Sequence, residues 1–311
     1  MNIIFFGTSE FAVPSLEMLS RSPHKIALVV TQPDAKKGRR LKITPPAIKE
    51  AAAGLGLAVF QSGCVSSAES IERLKAQAAD LFVVVSFGQI LKKTVLDLPD
   101  KFSINLHASL LPAYRGAAPI NWAVINGETK TGITVFKLVE KMDAGDIILD
   151  KEAVIEESDN ALTLGRKLSQ IGAKALLEAV NLIDSKKAVF RKQDETLISP
   201  APKLKKSDGL IDWSLSAARI HNMVRGLLPW PSAFTGFSGK QIKILETSVA
   251  AVKEEAGPAG RIISADQEAG ILVKAGSGCL AIKRLQPEGS KPMGFEEFLR
   301  GHKLPPGGVF S

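Results

Sequence analysis

Apolar residues fall into short, nearly unbroken runs over the first half of the chain. Towards the end the runs are shorter and are broken by Gly, Pro and charged turns. Residues 2–6 (NIIFF), 24–31 (HKIALVVT), 80–86 (DLFVVVS) and 103–107 (SINLH) are rich in Val, Ile, Leu and Phe. A strand covered on both faces has no polar side, so a run such as 81–85 (LFVVV) fits the interior of a parallel sheet. Segments with helical spacing lie between these runs, for example 67–78 (SAESIERLKAQA), and the alternation predicts βαβ units. Residues 131–138 and 146–155 are further predicted strands. The longest periodic stretch, 160–183, predicts an amphipathic helix with Asp159 or Asn160 as N-cap. Its expected buried side is Leu162, Leu164, Leu168, Ile171, Leu176, Leu177 and Val180.

The pattern breaks at 191–206 (RKQDETLISPAPKLKK). Two prolines, many charges and little periodicity predict a linker. Beyond it, 210–228 reads as one helix. Short strands are predicted at 241–250, 258–264, 270–275 and 279–285, which suggest a small barrel or sandwich. A length of 311 residues also favours two domains.

The composition, 45% hydrophobic and 23% charged, is that of a globular protein. The formal net charge is +8, which favours an anionic partner such as nucleic acid or a phosphorylated substrate. Residues 1–202 carry 25 basic and 22 acidic side chains, whereas 203–311 carry 15 and 10. The shorter segment is thus the more basic for its size. Cys64 and Cys279 make neither a metal-ligand cluster nor a disulfide framework, in keeping with a reducing compartment. The opening MNIIFFGTSEF reads as a strand entering a turn rather than a targeting segment. No apolar run reaches the ~18 residues of a membrane span. A soluble cytoplasmic protein is expected.

Asn105 and His107 stand at the carboxyl end of a predicted central strand. Being two residues apart, they share a face. Ligands bind at such strand ends in open α/β sheets. An amide and an imidazole there can stabilise an oxyanion or move a proton. The alternative is a buried pair that satisfies loop backbone. Asp143, in a turn between two predicted strands, can orient His107 or accept a proton through water. It can equally be a turn aspartate bonded to its own backbone. Lys36, Lys37, Arg39, Arg40 and Lys42 crowd the loop after the second strand. Such a charge run is either a phosphate contact or a solvated loop. The first βα turn, Gly7-Thr8-Ser9-Glu10-Phe11, lacks G-x-G-x-x-G, which disfavours a dinucleotide site. No phosphate-binding G-x-x-x-x-G-K-[ST] and no zinc-ligand spacing occur.

The segment from Asn105 to Asp146 resembles the signature of the folate-dependent formyltransferases, with Asn105, His107 and Asp143 at the family's catalytic positions. Ser109, Leu110, Leu111 and Pro112 (SLLP) resemble its tetrahydrofolate-contacting stretch. The run VVVSFGQIL, with Phe87, Gly88, Ile90 and Leu91, resembles the strand and loop lining its pterin pocket. The resemblance is greatest to the branch acting on initiator tRNA, and it covers IIFFGTSEFAVPSL, TQPDAKKGRR, the stretch from KLKKSDG to PWPSAF and LQPEGSKPMGFEEFLRG. It implies a Rossmann-like, mostly parallel α/β domain (1–190), a linker (191–206) and a small OB-like β-barrel domain (207–311). It implies 10-formyltetrahydrofolate as donor, no metal, and the α-amino group of methionine on initiator tRNA as acceptor. In the family the basic loop meets the acceptor stem. Lys203, Lys205 and Lys206 are expected to join Lys36, Lys37, Arg39, Arg40 and Lys42 on the tRNA, and a monomer is expected. Trp122, Trp213 and Trp230 are expected in packing, and His24, His221 and His302 in structural or surface roles. The rival readings are a formyltransferase for a small amine, a non-catalytic RNA-binding protein and a dehydrogenase.

Overall fold

The runs of Val, Ile, Leu and Phe become the inner strands of one sheet. The computed structural model describes residues 1–37, 42–252 and 256–311. Strands β1 (Asn2–Gly7), β2 (Lys25–Thr31), β3 (Val59–Gln61), β4 (Leu81–Val85) and β5 (Phe102–His107) run parallel. Strands β6 (Lys130–Lys137) and β7 (Ile147–Val154) continue the sheet antiparallel, in the order β7-β6-β5-β4-β1-β2-β3. Helices α1 (Val13–Ser20), α2 (Ala47–Gly54) and α3 (Ala68–Lys75) connect the parallel strands. Every residue of β4 is buried, as its unbroken apolar run requires. Phe6, Phe82 and Phe87 pack ring on ring beneath the sheet, with centroids 5.1 and 5.5 Å from Phe6. This is the mostly parallel α/β domain that the pattern predicts.

Helix α4 (Pro119–Ile125) follows the segment after β5. Helix α5 (Ala161–Asp184) begins where predicted. The Asn160 side-chain oxygen accepts from the backbone N–H groups of Leu162 (2.9 Å) and Thr163 (3.1 Å), so Asn160 caps it. Its buried face departs from the expected one. Leu164, Leu168, Leu176 and Val180 are buried, but Leu162 is exposed and Ile171 and Leu177 are only half-buried. Small residues complete the face: Ala173, Ala175 and Ala179 are buried. A Cβ on Gly172 would lie 2.8 Å from Leu106 Cδ2. Periodicity of large residues does not reveal a face on which close approach to β5 selects small ones.

Residues 130–154 and 165–201 group with residues 1–119 in one compact unit. Of the expected linker, 191–201 is bonded to that unit. Arg191 exchanges backbone hydrogen bonds with Ile147, both 2.8 Å, and Pro200–Ala201 pair with Arg115–Gly116.

The other unit comprises residues 120–129, 155–164 and 202–311. It carries an antiparallel sheet of β8 (Ala233–Phe237), β9 (Lys240–Ala250), β10 (Ile262–Asp266), β11 (Gly270–Lys274) and β12 (Cys279–Pro287), ordered β8-β9-β12-β11-β10. This is the separate β-rich domain that the short strands predict, and its sheet is antiparallel. Helix α6 (Ala217–Gly226) is shorter than the predicted 210–228. Asp212 caps an Asx turn at Ser214, and Ile211 N–H bonds Phe234 O (2.9 Å), so the stretch before Ser216 joins the sheet instead. After helix α7 (Phe295–Gly301) the chain returns to the sheet, where Phe310 N–H bonds Gly260 O (2.9 Å). Trp213 is core: its indole N–H donates to Thr235 Oγ1 (2.9 Å) and its ring stacks on Phe310. Trp122 N–H donates to Pro202 O (2.8 Å), whereas Trp230 is exposed. Among the described residues, no helix is long and apolar enough to cross a membrane.

Candidate active site

Strand β5 lies where the sheet changes from parallel to antiparallel. Asn105 faces Val84 of β4 on one side and Phe136 of β6 on the other, and His107 pairs with Thr134. Leu106 turns the opposite way, against Gly172 of α5. Asn105 and His107 therefore share the other face, as the two-residue spacing predicts. Asn105 is half-buried, and among the described residues its carboxamide has no hydrogen-bond partner. A polar side chain at a strand end whose donors are unspent is available to a ligand.

His107 is buried and fixed by main chain. Its Nε2 lies 2.9 Å from Tyr114 O, a carbonyl, so this nitrogen carries the proton and donates it. Nδ1 lies 3.8 Å from Asp143 Oδ2, an ion-pair distance beyond hydrogen-bond reach. The Asp143 carboxylate thus stands near the ring without a hydrogen bond to it, and the ring is oriented by Tyr114. Asp143 sits in the β6–β7 turn with a left-handed backbone, φ +49°. Its Oδ2 accepts from Gly116 N–H (2.9 Å). Its carbonyl, with that of Gly145, accepts from Gln193 Nε2 at 2.8 and 2.7 Å.

The two stretches expected to meet folate leave the carboxyl ends of the adjacent strands β4 and β5. In the first, Phe87 and Leu91 turn their side chains into the core. The Phe87 carbonyl accepts from Thr8 Oγ1 (2.7 Å) and Gln32 Nε2 (2.9 Å). Gly88 and Ile90 are left on the surface, and Ile90 is 74% exposed although apolar. In the second, Ser109 Oγ donates to Ala113 O, and Thr134 Oγ1 ties Ser109 O to Leu111 N–H. Leu111 packs on Phe136 and Ile147, and Leu110 and Pro112 are half-buried. Most of these side chains shape the turn, whereas that of Ile90 stays exposed.

The basic loop includes two antiparallel strands, Ala35–Lys37 and Lys42–Thr44, in which Lys36 pairs with Ile43 and Lys37 with Lys42. Lys36 is exposed; Arg39 and Arg40 lie outside the described residues. Lys203, Lys205 and Lys206 are all exposed. Of the remaining histidines, His24 bonds Asn181, His221 bonds Thr247 and His302 stacks on Phe298.

The sequence patterns left unnamed Tyr114, Thr134 and Gln193, which hold His107, the 109–111 turn and the Asp143 turn. Gln193 lies in the polar stretch read as a linker, and no periodic signal marks it. Arg115, next to Gly116, is buried and donates to Gln193 Oε1 and Glu195. Hydrogen bonds from Lys141 and Arg115 hold the Glu195 carboxyl below its ordinary range.

Residues 1–180 match the formyl transferase family and residues 203–303 match the formyl transferase C-terminal domain. The methionyl-tRNA formyltransferase of Geobacter sulfurreducens is 45% identical over 99% of this chain and 96% of its own. That of Syntrophus aciditrophicus is 45% identical over 99% and 98%. Among solved structures, the sugar 3N-formyl transferase WlaRD superposes with a TM-score of 0.67 at 18% identity, over 94% of this chain and 99% of that one. HypX from Aquifex aeolicus, solved with tetrahydrofolic acid, gives 0.64 at 17% identity over 98% of this chain. The chain spans about half of HypX (48%), and at these identities the two structures speak to the fold alone. Matched in both domains and by relatives of this likeness over nearly its whole length, the chain belongs to the formyl transferase family.

Proposed function

We propose that this protein transfers the formyl group of 10-formyltetrahydrofolate to the α-amino group of methionine on initiator tRNA. The observation that carries the chemistry is the Asn105 carboxamide, which makes no hydrogen bond among the described residues, beside His107 at the end of β5, with the Asp143 carboxylate 3.8 Å from the imidazole. The choice of acceptor rests on the likeness to methionyl-tRNA formyltransferases, which runs through both domains. The surface left by Gly88 and the exposed Ile90, at the mouth of the same strand ends, suits the flat ring of a folate.

The folate supplies the carbonyl carbon that is transferred. Asn105 donates an amide N–H to the carbonyl oxygen as it gains charge; one such donor is worth ~10²–10³ in rate. His107, held at Nε2 by Tyr114 O, keeps a fixed ring beside that oxygen. The new bond from the amine to the formyl carbon replaces that carbon's bond to folate N10. Asp143, pinned by Gly116 N–H, takes the proton the amine loses, directly or through water, and the proton passes on to N10 as tetrahydrofolate leaves. An α-amino group has a pKa of about 7.7–8.0, so part of it is already neutral near pH 7 and modest base catalysis suffices.

Lys36, Lys37, Arg39, Arg40 and Lys42, with Lys203, Lys205 and Lys206, are proposed to meet the tRNA backbone. We also propose catalysis by residues 1–190, tRNA contact by 207–311, and a monomer in the cytoplasm. The two cysteines, both unpaired, suit a reducing compartment. The test offers the purified protein 10-formyltetrahydrofolate with equal amounts of methionyl initiator tRNA and a nucleotide-linked amino sugar. Formyl-methionyl-tRNA should form and the sugar should stay unmodified. Formylated sugar alone would move the assignment to the small-amine branch.

A further inference from the structure

The turn that carries Asp143 has little apolar anchorage. Val139 and Met142 are exposed, and Asp143 holds a left-handed backbone that a non-glycine residue adopts only at a cost. Polar bonds fix the tip of this turn, and Gln193 Nε2 supplies two of them, to Asp143 O and Gly145 O. The other end of the same amide is fixed as well. Gln193 Oε1 accepts from Arg115 Nε (3.1 Å) and Nη2 (2.6 Å), and Arg115 is buried and further tied to Glu195 at 3.0 Å. Only one orientation of the amide satisfies this network. The reverse would set its NH₂ against a guanidinium and its oxygen against two carbonyls.

We infer that Gln193, locked by Arg115, is a positioning residue for the reaction: it holds the Asp143 turn so that the carboxylate stays at His107. The inference rests on the reading of Asp143 as part of the formyl-transfer site. No hydrogen bond joins Gln193 to His107 among the described residues, so its effect should pass chiefly through the Asp143 turn.

Gln193→Glu isolates that effect. The carboxylate still accepts from Arg115 but offers no donor to the two turn carbonyls, which it repels. A displacement of Asp143 of about 1 Å would slow transfer by ~10- to 100-fold. Single-turnover formylation, with enzyme in excess, should show that loss, with the tRNA Michaelis constant close to wild type. The decisive arm is a double-mutant cycle with Asp143→Asn. Because Gln193 acts through Asp143, Gln193→Glu should cost little more in that background. A wild-type rate in Gln193→Glu, or the same fold loss in both backgrounds, would overturn the inference. If Gln193→Glu does not fold, Gln193→Met removes the same donors, together with the Arg115 acceptor, and is read through the same cycle with Asp143→Asn. Wild-type protein that transfers no formyl group would overturn the function as well, and so separates the two failures.

Discussion

Asn105→Ala separates chemistry from folding more cleanly than any other change in the site. The carboxamide is half-buried and makes no hydrogen bond among the described residues, so its removal orphans no partner. The strand around it keeps its ladder, with Val84 and Phe136 still opposite. The stability cost should therefore stay within about 0.5 kcal/mol, as for changes that break no buried contact. Turnover should fall by ~10²–10³, the value of one oxyanion donor, or ~2.7–4 kcal/mol of barrier. His107→Ala is less informative, because it strips the Tyr114 carbonyl of its donor and adds a folding penalty of about 1–3 kcal/mol. The assay pairs a urea unfolding curve with saturating formyl-transfer rates for Asn105→Ala and wild type. Near-normal turnover would refute the oxyanion role. An unchanged rate together with a large loss of stability would show that Asn105 serves only to build the strand end.

Gly145→Ala would set a Cβ 1.7 Å from the Lys137 carbonyl, which as backbone cannot yield without parting β6 from β7. A lower melting temperature, by an overpacking cost of about 1–3 kcal/mol, and slower transfer through the displaced Asp143 are expected; an unchanged melting temperature would count against this geometry of the turn. Neutralising Lys203, Lys205 and Lys206 together should flatten the slope of log affinity for tRNA against log salt by about 2–3, at ~0.7–0.9 for each phosphate no longer neutralised. An unchanged slope would remove them from the RNA site. Burial, aided by the charge of Arg225, lowers the His221 pKa below its ordinary value of 6.5. The unfolded chain then binds the proton more readily, so stability is full above about pH 6.5 and is lost as pH falls towards the depressed folded value. Melting temperatures between pH 7.5 and 5 should fall more steeply for wild type than for His221→Gln, and parallel curves would contradict this.

The parallel strands and the Asn105–His107 pair were legible because a doubly covered strand shows an unbroken apolar run and a two-residue spacing sets a common face. What holds the pair was not. Tyr114 and Gln193 act through a carbonyl and an amide, bonds that depend on where the chain folds back and leave no periodic trace. Gln193 sits among prolines and charges that look like a tether, yet Arg191 and Pro200–Ala201 stitch that stretch to the sheet unit. The same limit explains α5, where Gly172 and three alanines make a close approach that a search for large apolar residues passes over. It also explains the shortened α6, where the side chain of Asp212 competes with helical hydrogen bonding.

Transfer of a formyl group from folate to the methionine amine of initiator tRNA can be followed in a single reaction. The most direct measurement mixes purified protein with 10-formyltetrahydrofolate and fully charged methionyl initiator tRNA, then follows tetrahydrofolate release and the mass of the amino acid freed by hydrolysis. One formyl-methionine is expected for each tetrahydrofolate released. No formyl-methionine from charged tRNA, or folate turnover without it, would rule out the proposed function.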